Sequence, residues 1–174
     1  TFNIIYSIED SSGNSATAVR TVEIVDTEKP TISLLGADPL SINQDTSYNE
    51  PGATATDNVD GNVSVSITGT VDTSTPGDYI RYYDAIDAAG NPATQVTRTI
   101  TVLDTEDPII TVLGANPDSV NQGTVYNDPG ATAEDNGNNI GPVVASPASL
   151  DTSNAGTFNI IYSIEDSSGN SATA

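Results

Sequence analysis

An internal repeat constrains this chain more than any other feature of its sequence. The 18 residues TFNIIYSIEDSSGNSATA occupy positions 1–18 and recur letter for letter at positions 157–174, an offset of 156 residues. A shorter period lies within this one. The segment VDTEKPTISLLGADP, which begins at Val25, is similar to LDTEDPIITVLGANP, which begins at Leu103, at an offset of 78 residues. Repetition at a fixed period is typical of tandem arrays, and each period here has the length of a small domain.

The recurring sequence Asp-Thr-Glu-x-Pro sets the expected domain boundaries. The complete repeat runs from residue 26 to residue 103, and the second repeat runs from residue 104 to residue 174 without its last strand. Residues 1–25 correspond to the C-terminal strands of a preceding repeat. We therefore expect the chain to be a window on a longer array.

Each repeat alternates apolar and polar residues with a period of two between turn residues, which is the pattern of half-buried β-strands. In the last strand, Val96, Ile100 and Val102 share one face with Arg98. No segment has a sustained helical stripe, so we predict an all-β fold of antiparallel sandwiches. The strands predicted in the complete repeat are Thr31–Leu35, Leu40–Asn43, Ala53–Thr56, Val63–Thr68, Tyr79–Ile86 and Thr94–Val102.

The composition excludes several classes of protein. Cys, His, Met and Trp are absent, which rules out disulfides, thiolate chemistry, histidine acid–base catalysis and the usual zinc sites. Acidic residues outnumber basic ones 24 to 4, and the net charge of −20 repels nucleic acid while attracting cations. No apolar run approaches the roughly 20 residues that span a bilayer, so direct membrane insertion is not expected. The acids lie in short loops without aromatic platforms, so we do not expect an enzyme.

Three motifs taken together resemble the bacterial immunoglobulin-like repeats of surface proteins, and they are also similar to the hyalin-repeat domain. They are Pro-Gly-Ala-Thr-Ala-x-Asp-Asn, then Thr-x-Gly-x-Tyr/Phe, then Asp-x-x-Gly-Asn-x-Ala-Thr. The resemblance covers essentially the whole chain. It implies tandem Ig-like β-sandwiches in an elongated array that is extracellular or attached to a cell surface, with modules that serve as stalks or adhesive units.

The resemblance also indicates where acidic residues converge. In an Ig-like sandwich the chain enters at one end, and the BC and FG loops return to that end. In the complete repeat this end collects Asp26, Glu28, Asp57, Asn58, Asp60, Asp87 and Asn91. The second repeat offers Asp104, Glu106, Asp135, Asn136 and Asp166. Asn138 stands where Asp60 stands in the complete repeat, which weakens that position.

Such a convergence of carboxylates predicts a bound cation. Like charges about 4 Å apart repel by roughly 4 kcal/mol at an effective dielectric constant of 20. Calcium takes 6–8 oxygen ligands from carboxylates, amides and backbone carbonyls, so Ca²⁺ is the cofactor we expect at the domain junctions. The alternative is that these residues are solvated turn residues, because Asp and Asn hydrogen-bond to local backbone in many turns.

Three functions remain open at this point. The first is a structural extracellular module, a calcium-stiffened stalk or spacer whose partners are adjacent repeats of the same chain. The second is a filament or matrix subunit that self-assembles, because the second repeat lacks the strand that residues 19–25 would supply. The third is an adhesive module that binds glycan or protein.

Overall fold

The computed structural model describes all 174 residues, and its regular elements are all β-strands. The strands form antiparallel sheets, which confirms the predicted all-β class. A membrane-spanning helix is not among the elements. In chain order the strands are β1 (Phe2–Glu9), β2 (Ser15–Val22), β3 (Thr31–Leu34), β4 (Leu40–Asn43), β5 (Ala53–Asp57), β6 (Gly61–Val63), β7 (Val65–Thr68), β8 (Gly77–Ala85), β9 (Val96–Leu103), β10 (Ile109–Val112), β11 (Ala131–Asp135), β12 (Asn138–Ile140), β13 (Val144–Ser146), β14 (Ile161–Glu165) and β15 (Ser171–Thr173).

The chain forms two compact units. Two short segments of the complete repeat, one of which includes most of β4, group with the second unit, and they are joined by a hydrogen bond from the Asp45 amide to the Thr73 carbonyl, at 2.8 Å. The first unit consists of Thr1–Leu40, Tyr48–Asp72 and Asp78–Ile100. The second consists of Ser41–Ser47, Thr73–Gly77 and Thr101–Ala174.

The strands of the complete repeat are divided between a three-stranded sheet, in the order β3-β5-β6, and a four-stranded sheet, in the order β4-β9-β8-β7. The predicted strand Leu40–Asn43 has the observed bounds, whereas the predicted strand Val63–Thr68 was wrong as a single element. The chain changes sheets at Ser64, so that β6 pairs with β5 and β7 pairs with β8. The alternation of apolar and polar residues continues across this change of sheet, because Val63, Val65 and Ile67 are all half-buried. The sequence pattern therefore does not reveal the change of sheet.

A buried arginine lies in the core of the complete repeat. Arg98 is fully buried, on the same face of β9 as Ile100 and Val102. Its Nη1 atom forms an ion pair with Glu50 Oε1 at 2.7 Å, and its guanidinium carbon lies 5.5 Å from the centre of the Tyr83 ring. The Nη2 atom donates to the carbonyl oxygen of Leu35. This pairing satisfies a charge that would otherwise be costly to bury.

Glu50 is the centre of this network because it accepts hydrogen bonds from several directions. Its carboxylate oxygens accept from the Tyr48 hydroxyl at 2.6 Å, from the Tyr83 hydroxyl at 2.6 Å and from the Gly52 amide at 2.9 Å. Arg81 adds a second ion pair at 3.1 Å. Burial alone would raise the pKa of Glu50, but the hydrogen bonds from both tyrosines and from Gly52 outweigh it and lower that pKa to about 2.

The second repeat forms two three-stranded sheets, in the orders β10-β11-β12 and β13-β14-β15. Its buried apolar residues are Ala133, Tyr162 and Ile164. Residues 118–121, which correspond to β4, form no strand. In the complete repeat β4 lies beside the long strand β9.

The duplicated 18-residue segment adopts strands of two lengths. At positions 1–18 its first strand is β1, of eight residues, and at positions 157–174 the same sequence forms β14, of five residues. At the N-terminal copy, β2 continues after the duplicated segment, so that Phe2 pairs with Val22 and Ile4 pairs with Arg20. The longer strand is therefore a consequence of the residues that follow the duplicated segment.

Candidate metal centre

Turns after two strands place acidic side chains at one end of the complete repeat. Asp57 is the last residue of β5, and its Oδ1 atom accepts hydrogen bonds from the amides of Val59, at 2.8 Å, and Asp60, at 3.1 Å. These bonds close the turn into β6. The Oδ2 atom of Asp60 accepts from the amide of Ala88 at 2.7 Å, which joins this turn to the one that follows β8.

An Asp–Asn pair shapes the turn after β8. The backbone N–H of Asn91 donates to Asp87 Oδ1 at 2.7 Å, and its side-chain Nδ2 donates to Asp87 Oδ2 at 2.8 Å. The Nδ2 atom also lies 3.3 Å from the backbone oxygen of Asp26, in the segment that leads into β3. Burial would raise the pKa of Asp87, but the hydrogen bonds from Asn91 lower it overall. Asn91 thus fixes Asp87 beside the lead-in segment, and its amide group acts here as a donor.

The same Asp-x-x-Gly-Asn spacing produces the same geometry twice more. In the second repeat, Asn170 donates from its amide nitrogen to Asp166 at 2.8 Å and from Nδ2 at 2.9 Å. Near the N-terminus, Asn14 donates to Asp10 in the same two ways, at 2.8 and 2.9 Å. Asn170 was not among the residues selected from the sequence, although the identical spacing was a signal that could have identified it.

The first carboxylate cluster combines four aspartates of the first unit. One carboxylate oxygen from each lies within 4.8 Å of the others. Asp87 is buried, Asp26 and Asp57 are half-buried, and Asp60 is exposed. The Oδ2 atoms of Asp26 and Asp57 are shielded from solvent and have no hydrogen-bond partner. Buried polar atoms in folded proteins are almost always paired, so these two oxygens call for an explanation.

The second carboxylate cluster lies at the corresponding positions of the second unit. It contains Asp104, Asp135 and Asp166, whose oxygens are also within 4.8 Å of one another. The Oδ1 atom of Asp135 is buried without a hydrogen-bond partner. The pKa of Asp135 is raised, first by burial and then by the charges of Asp104, Asp166 and Glu106. This cluster therefore holds uncompensated negative charge in a partly buried place.

Two asparagines lie beside the second cluster: Asn138 stands where the first has Asp60, and Asn136 corresponds to Asn58. The Nδ2 atom of Asn136 lies 3.4 Å from Asp104 Oδ1 and 3.4 Å from Asp135 Oδ2. Asn138, the counterpart of Asp60, turns away and donates from Nδ2 to the backbone oxygen of Asn136 at 3.2 Å. The second cluster consequently has three carboxylates where the first has four.

Asn91 and Asn136 contact cluster aspartates through their side-chain amides, but three other residues selected from the sequence lie outside both clusters. Glu28 is exposed, and its contact with the first cluster is made by its amide, which donates to Asp26 Oδ1 at 3.1 Å. Asn58 is exposed at the tip of the turn after β5. Glu106 is exposed as well, but it is close enough to contribute to the raised pKa of Asp135.

The donor set of both clusters is suited to a hard cation. All the side-chain ligand atoms on offer are oxygens, and most belong to carboxylates. Carboxylate and carbonyl oxygens suit calcium, magnesium and manganese, whereas zinc and copper favour nitrogen and sulfur ligands. The three unpartnered oxygens also fit such an ion, because a cation would satisfy them all.

The chain matches the model of one protein family. The model of the family described as bacterial surface protein, Ig-like domain, matches residues 32–102 and residues 110–174. An uncharacterized 81.3 kDa protein of Acholeplasma phage L2 is 27% identical over 182 residues, which cover 97% of this chain and 24% of the phage protein. The chain thus spans about a quarter of the length of that relative.

Two solved structures are similar in part. The crystal structure of a lipoprotein from Bacteroides thetaiotaomicron is 25% identical, with a TM-score of 0.39, over 79% of this chain and 61% of the lipoprotein. A structure of the catalytic domain of Clostridium perfringens ZmpB with two adjoining domains is 23% identical, with a TM-score of 0.36, over 90% of this chain and 15% of that one.

Proposed function

Because the chain belongs to the family of bacterial surface protein Ig-like domains, we propose that it is a structural spacer or stalk segment of an extracellular or surface protein, stiffened by calcium at its two carboxylate clusters. The family match confirms the resemblance recognised in the sequence, and the family is typically non-catalytic. The calcium-dependent mechanical role is our proposal, and it depends on the geometry of the clusters.

The observation that carries the proposal is the set of three buried, unpartnered carboxylate oxygens. They belong to Asp26, Asp57 and Asp135, and every one of them lies in a cluster. Leaving a buried polar group without a partner costs about 1–3 kcal/mol, and more when the group is charged. Asp57 and Asp135 occupy the same position in successive repeats. Both repeats therefore contain a buried carboxylate oxygen without a hydrogen-bond partner at this position. A cation shared by each cluster would remove it at both positions.

Calcium suits the clusters better than magnesium does. Calcium accepts 6–8 oxygens in flexible geometry, so it tolerates carboxylates presented by three separate segments together with water. Magnesium requires a near-ideal octahedron and gives up its water reluctantly. We expect affinities on the order of 10⁻⁴–10⁻³ M, as in other extracellular modules. The four-carboxylate cluster should bind more tightly than the three-carboxylate cluster, because charge count sets affinity.

The stiffening follows from where the ligands lie along the chain. Asp26 belongs to the segment between β2 and β3, whereas Asp57 and Asp87 lie on turns of the complete repeat. A cation that binds all three ties this segment to the turns. Without a cation the like charges repel one another, and the hydrogen bond from Asn91 Nδ2 to the Asp26 carbonyl that joins the segment to the turn after β8 is long, at 3.3 Å. Calcium therefore limits the directions that the segment can take.

The test combines X-ray scattering with thermal melting, in calcium and in chelator. We expect calcium to increase the maximum dimension and to stabilise the fold, by about 1.4 kcal/mol per site at ten times the dissociation constant. Asp57→Asn should remove most of the effect of the first cluster. The asparagine Oδ1 can still accept from Val59 and Asp60, so the turn survives while the second ligand atom is lost.

Asp72→Asn is the matched control, because it removes the same charge from an exposed residue outside both clusters. Unchanged dimensions and an unchanged melting temperature on adding calcium would contradict the proposal. An equal response to sodium chloride at the same ionic strength would mean that calcium only screens the net charge and does not bind a specific site.

A further inference from the structure

A glutamine of the complete repeat reaches the second carboxylate cluster. Gln44 directly follows β4 and is half-buried. Its Oε1 atom accepts a hydrogen bond from Nδ2 of Asn136, 92 positions further along the chain, at 3.3 Å. Gln44, Asn136 and the three aspartates of the second cluster all belong to the second unit. The surroundings of this cluster therefore include a side-chain oxygen from the loop after β4.

Two hydrogen bonds fix the position and the direction of Gln44. Its backbone N–H donates to the carbonyl of Leu103 at 2.7 Å, and Leu103 directly precedes the cluster residue Asp104. Its side-chain Nε2 donates to the carbonyl of Ser74 at 2.8 Å. A backbone carbonyl can only accept, so the amide nitrogen must face Ser74 and the amide oxygen is left facing Asn136. The loop thus presents an oxygen, and not an N–H group, to the second cluster.

The second repeat contains the same arrangement at Gln122. This residue follows Gln44 by 78 positions, and its Nε2 atom donates to the carbonyl of Ser153 at 2.7 Å. Gln122 is exposed and lies outside both clusters. The loop therefore holds its glutamine in this orientation by itself, without help from a neighbouring cluster.

Three oxygens surround the side-chain nitrogen of Asn136. They are Gln44 Oε1 at 3.3 Å, Asp104 Oδ1 at 3.4 Å and Asp135 Oδ2 at 3.4 Å. An amide NH2 group has two hydrogens, so it cannot satisfy three acceptors. All three distances also exceed the roughly 2.7–3.2 Å of ordinary N–H···O hydrogen bonds. Two of these oxygens belong to carboxylates, and a single neutral amide neutralises them poorly.

A cation fits this arrangement better than an amide nitrogen does. Oxygens from three segments of the chain already face one point, and the other oxygen of Asp135, Oδ1, is buried without a hydrogen-bond partner. Asn136 can rotate its amide group by half a turn, because this terminal torsion has two similar minima. After that rotation Asn136 also presents an oxygen.

We propose that Gln44 is a ligand of the calcium ion at the second cluster, through its Oε1 atom, alongside Asp104, Asp135 and Asp166. This inference rests on the proposed function, because it names a further ligand of the same site. Calcium binds amide carbonyl oxygens together with carboxylates, and the second cluster has only three carboxylates. A neutral oxygen adds to the coordination of the ion without adding to the repulsion among the ligands. The ion also ties the loop after β4 of the complete repeat to the second repeat.

Calorimetric titration with calcium in the Asp57→Asn background tests the proposal, because this change leaves the second cluster as the site that is measured. We expect Gln44→Ala to weaken calcium binding about tenfold or more, since even residues that only orient metal ligands contribute about 10–100-fold to affinity. Gln122→Ala is the matched control. It removes the same kind of hydrogen bond to a serine carbonyl, and it should change the binding constant less than about twofold.

Gln44→Glu distinguishes a calcium ligand from a residue that only holds the loop. Glutamate keeps an oxygen at this position and adds a negative charge, but it cannot donate to the Ser74 carbonyl. A ligand role predicts that calcium binds more tightly than it does with glutamine. A role in loop structure alone predicts the same loss of affinity as with alanine.

The carbon-13 signal of the Gln44 side-chain carbonyl gives a second readout. It should shift when calcium is added, whereas the corresponding signal of Gln122 should stay in place. An unchanged binding constant after Gln44→Ala, or weaker binding after Gln44→Glu, would overturn this inference and leave the proposed function intact. Absence of calcium binding to the wild type would overturn both.

Discussion

Arg98 and Glu50 show how a very acidic chain keeps a cation in its core. The arginine is fully buried, and its partners are Glu50 from the segment before β5, the Tyr83 ring from β8 and the Leu35 carbonyl, which directly follows β3. Removal of one member of such a pair leaves an uncompensated buried charge, which costs about 3–5 kcal/mol. The cost of removing one partner is therefore not the net contribution of the pair, because burying both charges also costs free energy.

Because its pKa is lowered, Glu50 should contribute to stability in a pH-dependent way. Its pKa is about 2 in the fold and has an ordinary value of 4.5. Because the folded value is the lower one, its contribution is fully present above about pH 4.5 and is lost as the pH falls towards 2. Glu50→Gln should cost about 3 kcal/mol at neutral pH. The difference between wild type and variant should shrink within this window, as measured by denaturant unfolding at each pH.

The counterpart in the second repeat provides the control for that experiment. Asp128→Asn changes a carboxylate that has no arginine partner within the chain, so in dilute protein it should destabilise far less. A difference between wild type and Glu50→Gln that stays constant from pH 7 to pH 2 would show that the carboxylate charge does not stabilise Arg98.

At the scale of elements, the sequence predicted strands where alternation and turn residues agree. Leu40–Asn43 was obtained with its observed bounds. The break at Ser64 was missed because the inward-facing side chains continue in phase while the backbone changes its neighbour. The partner of Arg98 was missed as well, since no periodic pattern connects a strand residue to Glu50, 48 positions away.

The candidate site was predicted in part for a similar physical reason. Asp57, Asp60 and Asp87 lie at or just after the ends of strands that finish at the same end of the repeat, and hydrogen bonds within the turns hold them there. Glu28 and Asn58 were included by proximity in sequence, but both side chains are exposed. The direction of a side chain in a loop depends on local hydrogen bonds that composition and spacing do not encode.

The two identical copies of the duplicated segment should differ in hydrogen exchange within one molecule. Hydrogen exchange should be slower, on average, at residues 2–5 than at residues 158–161, although the two sequences are identical. The first stretch is paired with β2, and the second lacks a partner strand. The measurement belongs at low protein concentration. Equal protection of the two stretches would mean that the sequence itself, and not the following strand, determines the strand length.

At the scale of the whole molecule, charge is the dominant property. A net charge of −20 favours solubility but destabilises any compact state by self-repulsion. The two carboxylate clusters concentrate that repulsion in partly buried places, where salt screens it less than at the surface. The family is one of bacterial surface proteins, and under our proposal calcium neutralises the two clusters. Stability and rigidity are therefore expected to depend on calcium.

Titration calorimetry with calcium measures binding at the two clusters, using the wild type, Asp57→Asn, Asp135→Asn and the double variant. We expect two saturable sites in the wild type, one in each single variant and none in the double variant. Asp72→Asn should retain both. Magnesium at the same concentration should bind more weakly at each site. Absence of saturable binding to the wild type, or two sites that survive in the double variant, would contradict the claim that these clusters hold calcium.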